Sequence, residues 1–493
     1  MFSGSAIAIT LFLASAACIF YRFSAWRRRT AHLFCYGAPG IFGYYFTALK
    51  YTFHSVECIE DATSQSGGRP FIMPTLVNGP LLIVGQQYID FMRTSNEAIF
   101  SQKAAIVEAT QLDYTLDPHQ LTNPYAIGVL LGEVTREIDR YIPDIVEETN
   151  QALNELLSDH MSGSAPTSVV PLFSSMTDVV ARVVNRSFVG AELCRKPDYI
   201  QAVVRYAQTF IFYGMVLKLL PKFLKPPAYA LMTTLFGGKR KPARYLRPHI
   251  AEYIKQRENG QHSPTIMEAL LAASGENAEQ LAMRIIALNF GSIHTLSIVI
   301  TQTLFEIAAM SPAEVDLIYE ELDEMLIGGE EWTKAALSRC QRLDSLLREA
   351  GRLHGVTIFS AERRTVQDAA FPDGTLVPAD TMVSVLNHAV HLNPSIYAEP
   401  YKFNAFRFYK TQNDAHHLAT IDSNNYLLFG LGRHACAGRF FAAITLKIFI
   451  ATVLLQYHVA FENPHVGRPR NRVFSGVILP DGRAKLKFIK RAV

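Results

Sequence analysis

A single cysteine framed by glycines and followed by a long apolar run constrains this chain more than any other feature. The stretch reads Phe429-Gly430-Leu431-Gly432-Arg433-His434-Ala435-Cys436-Ala437-Gly438-Arg439-Phe440-Phe441-Ala442. Glycines permit a tight turn. The run from Phe440 to Leu455 reads as a buried helix. Cys436 therefore sits just before a predicted helix N-terminus. Free N–H groups and the positive end of the helix dipole favour a thiolate over a thiol there. On chemistry alone three roles stay open: a buried structural thiol, a nucleophile, or an axial ligand to haem iron that favours O–O cleavage.

Size and composition narrow the field. The chain has 493 residues, enough for one large domain or several ordinary ones. Half of it is hydrophobic (49%) and 11% is aromatic, which supplies both a core and an apolar pocket. The 47 basic and 44 acidic residues nearly balance, so nucleic acid is not an expected partner. The cysteines at 18, 35, 58, 194, 340 and 436 form no CxxC pair and no compact framework. A reducing compartment fits them better than a disulfide scaffold.

Phe2 to Tyr21 carries no charge and is almost wholly apolar. About 20 residues span a bilayer core. Arg22, Arg27, Arg28 and Arg29 follow, and a basic C-terminal flank places that side in the cytosol. Ala14-Ser15-Ala16 resembles a signal cleavage site, but no basic region precedes the apolar run. The expectation is a retained anchor over residues 1–23, a linker or hinge over 24–40, and a catalytic domain over 41–493.

The remainder reads as mainly α with small β-sheets. Ile138 to Leu157 has helical spacing, and Glu279 to Met310 is a long segment apolar all round. Arg284, Asn289 and His294 inside it argue for a buried central helix over a second membrane span. Short alternating runs at Thr375–Val385 and Ala484–Ile489 read as strands beside Asp-Gly turns. Phe210 to Phe236 is apolar and aromatic, interleaved with Lys218, Lys222 and Lys225. It reads either as an amphipathic helix pair or as a substrate-access lid resting on a membrane surface.

Phe429, Gly432, His434, Cys436 and Gly438 fall at the spacing Phe-x-x-Gly-x-(Arg/His)-x-Cys-x-Gly. This resembles the haem loop of the cytochromes P450. The resemblance implies the P450 fold, haem b, Cys436 as its axial iron ligand, Phe429 beside the sulfur, and His434 on a haem propionate, where most members have Arg. Two more segments follow the family in order. Glu349 and Arg352 lie one helical turn apart in Leu347-Arg348-Glu349-Ala350-Gly351-Arg352-Leu353-His354. Taken alone they are a solvated ion pair of little worth. With Arg407 of Phe403-Asn404-Ala405-Phe406-Arg407-Phe408, the resemblance makes them a buried network bracing the cysteine loop.

The third segment is Gly291-Ser292-Ile293-His294-Thr295 in the long helix. By the resemblance Thr295 assists oxygen activation. His294 stands where the family usually has an acid, and Ser292 replaces a glycine. Either His294 relays protons near neutral pH or it closes a local hydrogen bond. The Ile-His-Thr form is similar to fungal members that oxidise terpenoids, ent-kaurene oxidases among them. Arg363, by its spacing to Asp373-Gly374, looks like a propionate-binding residue, with a surface arginine as the alternative. Arg136 is a further propionate candidate, although Gly132 replaces the family's usual tryptophan.

The resemblance implies a monooxygenase that inserts oxygen into an unactivated C–H bond of an apolar small molecule. O2 and NADPH are its co-substrates, and a separate NADPH-cytochrome P450 reductase delivers the electrons. No flavin or nicotinamide motif is visible in the chain itself. The localisation implied is a single-pass membrane protein of the endoplasmic reticulum with a cytosolic catalytic domain. Three rivals stay in view: an oxygen-independent haem-thiolate isomerase or dehydratase, a non-enzymatic haem or sterol binder, and a cysteine hydrolase with His434 as base.

Overall fold

The structure is a computed structural model. It describes residues 20–491 apart from 22, 77–78, 118, 161–166, 328–331, 410–416, 422–423 and 466. The anchor expected over 1–23 lies outside the described residues except for 20, 21 and 23. The helices that matter here are, in chain order, α1 (Gly40–Phe53), α2 (Gln102–Thr110), α3 (Leu172–Val189), α4 (Pro197–Leu219), α5 (Lys225–Phe236), α6 (Ala278–Ala309), α7 (Gln341–His354) and α8 (Arg439–Gln456). The predicted central helix is α6. Its start is fixed by a capping box: the Asn277 side chain accepts from the Gln280 N–H, and Gln280 Oε1 accepts from the Asn277 N–H. α6 and α8 are long and apolar enough to cross a bilayer, but most of each is buried in the domain. Their all-round hydrophobicity reflects a packed interior.

Strands β1 (Phe34–Cys35), β2 (Phe71–Pro74), β3 (Pro80–Val84), β4 (Phe100–Ser101), β5 (Phe359–Thr365) and β6 (Met382–Leu386) form one mixed sheet in the order β1-β2-β3-β6-β5-β4. β2 and β3 pair antiparallel with Phe71 opposite Ile83. β3 and β6 pair parallel with Leu81 beside Met382. β5 and β6 pair antiparallel, with a register break between Ser360 and Arg363. A smaller sheet joins Thr167–Pro171, Lys485–Lys490 and Tyr457–Phe461.

The segment expected to be a linker over 24–40 is part of the folded unit. Trp26 stands edge-on to Tyr44 with ring centroids 5.6 Å apart. Leu33 is buried in the sheet core, and Phe34 and Cys35 pair with Phe71 and Ile72. Aromatic and aliphatic side chains in that segment found partners, which its thin turn motif did not signal.

The helical core gathers α3, α4, α6, α7 and α8. The mixed sheet carries one apolar cluster around Leu82, Val383 and Val385 and another around Leu81, Ile83 and Met382. The cysteine loop joins the two territories. Leu431 is buried with the first sheet cluster, while Phe429 packs on the helical core.

Candidate active site

The loop turns as its glycines foretold. Gly432 has φ of 61°, and a Cβ there would sit 2.8 Å from Arg93 Cγ and 3.1 Å from Arg93 O. Conformation and space both demand glycine. The Cys436 N–H donates to Phe429 O at 2.8 Å, and the Arg439 side chain Nη1 donates to Cys436 O at 3.1 Å. Gly438 is the N-cap of α8. By surface area Cys436 is exposed. Yet burial pushes its thiol pKa up, opposed by the Gly438 N–H and the Arg439 charge. Both facts hold if the sulfur faces an enclosed space set deep in the protein. In the metal-free chain desolvation opposes the helix-end effect at this sulfur. A metal at the sulfur would displace the thiol proton.

α6 packs against α8. Gly291 is accessible in the middle of this otherwise buried helix, and a Cβ there would meet nothing within 4 Å. Thr295 Oγ1 donates back to Gly291 O at 2.8 Å, with Ser292 O at 3.0 Å. Ser292 Oγ likewise bonds Leu288 O at 2.7 Å. His294 turns toward α4. Burial pulls its pKa down, a hydrogen bond to the Val204 backbone opposes this, and its Nε2 is buried without a partner.

Basic groups crowd beside the loop. Arg363 is 1% exposed, and its Nε has no hydrogen-bond partner. Burial pulls its pKa down; Glu97 favours the charge and Arg433 opposes it. His434 Nε2 lies 3.0 Å from Glu97 Oε2 and 3.1 Å from Arg433 Nε. Its pKa is also lowered, by burial first and then by Arg363. The Arg363 guanidinium and the His434 imidazole thus share the Glu97 carboxylate, while Arg433 donates to Ser95 O at 2.7 Å.

Below the loop is a charge network that excludes water. Arg352 Nε and Nη2 donate to Glu349 Oε2 and Oε1, both at 2.8 Å, and neither side chain has any exposed surface. Arg407 Nε donates to both Glu349 oxygens at 3.0 Å. Arg352 Nη1 serves the carbonyls of His391 and Pro400 at 2.7 Å each. His391 Nε2 accepts from the Leu427 N–H at 2.9 Å, and its Nδ1 lies 3.1 Å from Arg352 O. The chain entering the cysteine loop is thereby tied to α7. Glu349, Arg352 and Arg407, named from sequence, are brought together.

The family model described as Cytochrome P450 matches residues 128–488. The chain is 30% identical over 91% of its length to cytochrome P450 monooxygenase 103 of Postia placenta, of which 91% is covered. The chain is a cytochrome P450. It is also 26% identical to ent-kaurene oxidase P450-4 of Gibberella fujikuroi, over 84% of this chain and 83% of that one. The fold matches the retinoic acid-bound cyanobacterial CYP120A1 with a TM-score of 0.68 at 18% identity, covering 90% of this chain and 96% of that one.

As a cytochrome P450 it is a monooxygenase that uses haem iron, O2 and electrons from a reductase. The residues present fit haem. The accessible sulfur offers a donor to haem iron, a Cβ at Gly291 would meet no atom within 4 Å, and Arg363 and Arg433 near Glu97 suit a dianionic pair of propionates. Arg136 is exposed at the end of its helix, and the contacts of this cluster do not include it. Sequence reading missed Arg433, Glu97 and His391. Arg433 was adjacent to a motif residue and within reach of inference. Glu97 and His391 carry no local signal, since only the fold brings them to the loop.

Proposed function

We propose that this cytochrome P450 is a membrane-bound haem-thiolate monooxygenase that oxidises an apolar small molecule of terpenoid type in fungal secondary metabolism, drawing electrons from NADPH through a separate flavoprotein reductase. The observation that carries the reading is Cys436: an accessible sulfur set deep in the protein at the mouth of α8. Haem bound there supplies the activation of dioxygen. Cys436 Sγ would hold its iron, and the Gly438 N–H supports negative charge on the sulfur. Arg363 and Arg433 would hold the propionates by charge and His434 by a hydrogen bond, which would relieve the repulsion between Arg363 and Arg433. Thr295 can exchange its bonds to the α6 carbonyls for a bond to a ligand in the open space and so hold a proton at Oγ1. Glu349, Arg352 and Arg407 brace the loop. Phe210 and Phe290, with ring centroids 4.0 Å apart, join α4 to α6 with apolar surface.

The terpenoid assignment draws on the likeness to the ent-kaurene oxidase. Membrane attachment draws on the apolar residues 2–21 and on two exposed apolar faces. One is Phe42, Phe46, Leu49 and Phe53 on α1; the other is Leu219, Phe223, Leu231 and Leu235 at the α4–α5 junction. These favour a single-pass anchor over 1–23 in the endoplasmic reticulum, with the catalytic domain in the cytosol.

The test is co-expression with a reductase, followed by product analysis on diterpene and sesquiterpene scaffolds. Products should require O2 and NADPH. Cys436→Ala should lose both turnover and the red-shifted Soret band of the ferrous carbon monoxide complex. Turnover without O2 would refute the monooxygenase reading and revive the isomerase or dehydratase.

A further inference from the structure

The middle of β5 and the C-terminal end of α4 carry charges that the chemistry above does not use. Where β5 breaks register with β6, Ala361 takes φ of 55°, a left-handed conformation that costs a residue with a Cβ. The break turns Glu362 out of the strand's alternation. Among the described residues its carboxylate has no hydrogen bond or ion pair, and burial pushes its pKa up. By area it is only half-buried. As at Cys436, both facts hold if the group faces an enclosed space.

A second charge comes from α4. Gly214 lets α4 lie directly on the end of α2, since a Cβ there would be 3.0 Å from Ala109 O and 3.1 Å from Thr110 O. One turn later, on the same face, is Lys218. Its Nζ is covered and makes no hydrogen bond; the nearest carboxylate oxygen, Glu108 Oε1, is 3.6 Å away. Glu108 is shared, because its Oε2 lies 3.4 Å from Arg364 Nη1. Arg364 in turn reaches Asp380 at 3.2 Å. Lys218 and Glu362 attract one another across the gap. Burial pulls the Lys218 pKa down to about 8.

We infer that Lys218 and Glu362 form a polar recognition site for a hydroxyl already carried by an otherwise apolar substrate. The inference rests on the monooxygenase reading and deepens it. A wholly apolar occupant leaves Glu362 unpaired and Lys218 with only the shared, distant Glu108, which is costly. A hydroxyl can donate to Glu362 and accept from Lys218 at once. Lys218 lies about 20 Å along α4 from Val204, the contact of His294. The oxygenated end is therefore held away from the α6 middle turn. A substrate recognised this way must come from an earlier oxygenation or hydration.

Equilibrium dialysis of the haem-loaded full chain tests this with three matched pairs: adamantane and 1-adamantanol, ent-kaurene and ent-kaurenol, androstane and its monohydroxy derivative. At least one alcohol should bind about tenfold more tightly than its hydrocarbon. Lys218→Met and Glu362→Leu should each erase that preference, with haem content and melting temperature confirming that the variants fold. Glu362→Gln, which keeps an acceptor, should retain part of it. Equal binding of hydrocarbon and alcohol, or a preference unchanged in both variants, overturns the site and leaves the monooxygenase reading intact. Binding by none of the six compounds counts against both this site and the terpenoid substrate.

Discussion

His391 gives the sharpest test of how the cysteine loop is held. Its ring joins two elements: Nε2 accepts from the Leu427 N–H, so the proton sits on Nδ1, which faces Arg352 O. Protonating Nε2 would break the Leu427 bond and place a cation beside Arg352. Burial, reinforced by the Arg352 and His388 charges and opposed by the bond to Arg352 O, pulls its pKa from 6.5 to about 3. The unfolded chain therefore binds a proton below pH 6.5 that the folded protein does not. Stability is complete above that pH and falls as the pH drops, by about 1.4 kcal/mol per unit. From pH 6.5 to pH 5 the loss is about 2 kcal/mol, a large part of a marginal stability. His294, His354 and His388 also have lowered pKa values, so the wild-type slope is a sum. The variant His391→Gln keeps an acceptor near the Nε2 position and removes the titration. Thermal melting and haem retention, followed from about pH 7 to about pH 5, should show a flatter acid decline in His391→Gln by roughly that slope. Parallel declines for the two proteins would refute the reasoning.

Arg352→Ala should yield little haem-loaded protein, because it leaves Glu349 buried with Arg407 alone and costs about 3–5 kcal/mol. Arg352→Lys should recover only part of the haem, since an ammonium cannot make both the forked carboxylate bond and the two carbonyl bonds. Normal haem content in Arg352→Ala would remove the bracing role. In Gly351→Ala the new Cβ would sit 2.7 Å from Leu428 Cδ2 and 2.9 Å from Tyr426 Oη. It should lower stability by about 1–3 kcal/mol, read as a lower melting temperature; an unchanged melting temperature would show that α7 can shift away from the loop.

What sequence could reveal follows from how local each signal was. The cysteine turn, the start of α8 and the extent of α6 were legible because glycine spacing and apolar run length act within a few residues. The Glu349–Arg352 pair was legible as an i, i+3 spacing, and its burial came from resemblance rather than from pattern. Arg363 illustrates the boundary: its identity was readable, but its fully covered guanidinium depends on a sheet register that breaks one residue earlier. The balance at Cys436 was not legible, because a helix end acts locally while desolvation depends on everything packed around the sulfur. His391 and Glu97 lie 45 and 339 positions upstream of Cys436 in sequence and reach its loop only through the tertiary fold.

His294 and Thr295 show why adjacency in sequence is not adjacency in function. Successive helical residues point about 100° apart, so one cannot simply stand in for the other. Thr295 bonds to the backbone around Gly291, the accessible point of α6, whereas His294 faces Val204 on α4. With its pKa lowered by burial, His294 is neutral at pH 7 and well suited to holding α4 over α6, and poorly suited to carrying protons toward the sulfur side. His294→Ala should therefore shift substrate affinity and product distribution while leaving NADPH consumption coupled to product. Thr295→Ala should do the opposite, releasing peroxide at the expense of product. Peroxide yield measured for both variants decides the matter: a strongly uncoupled His294→Ala alongside a coupled Thr295→Ala would reverse the two assignments.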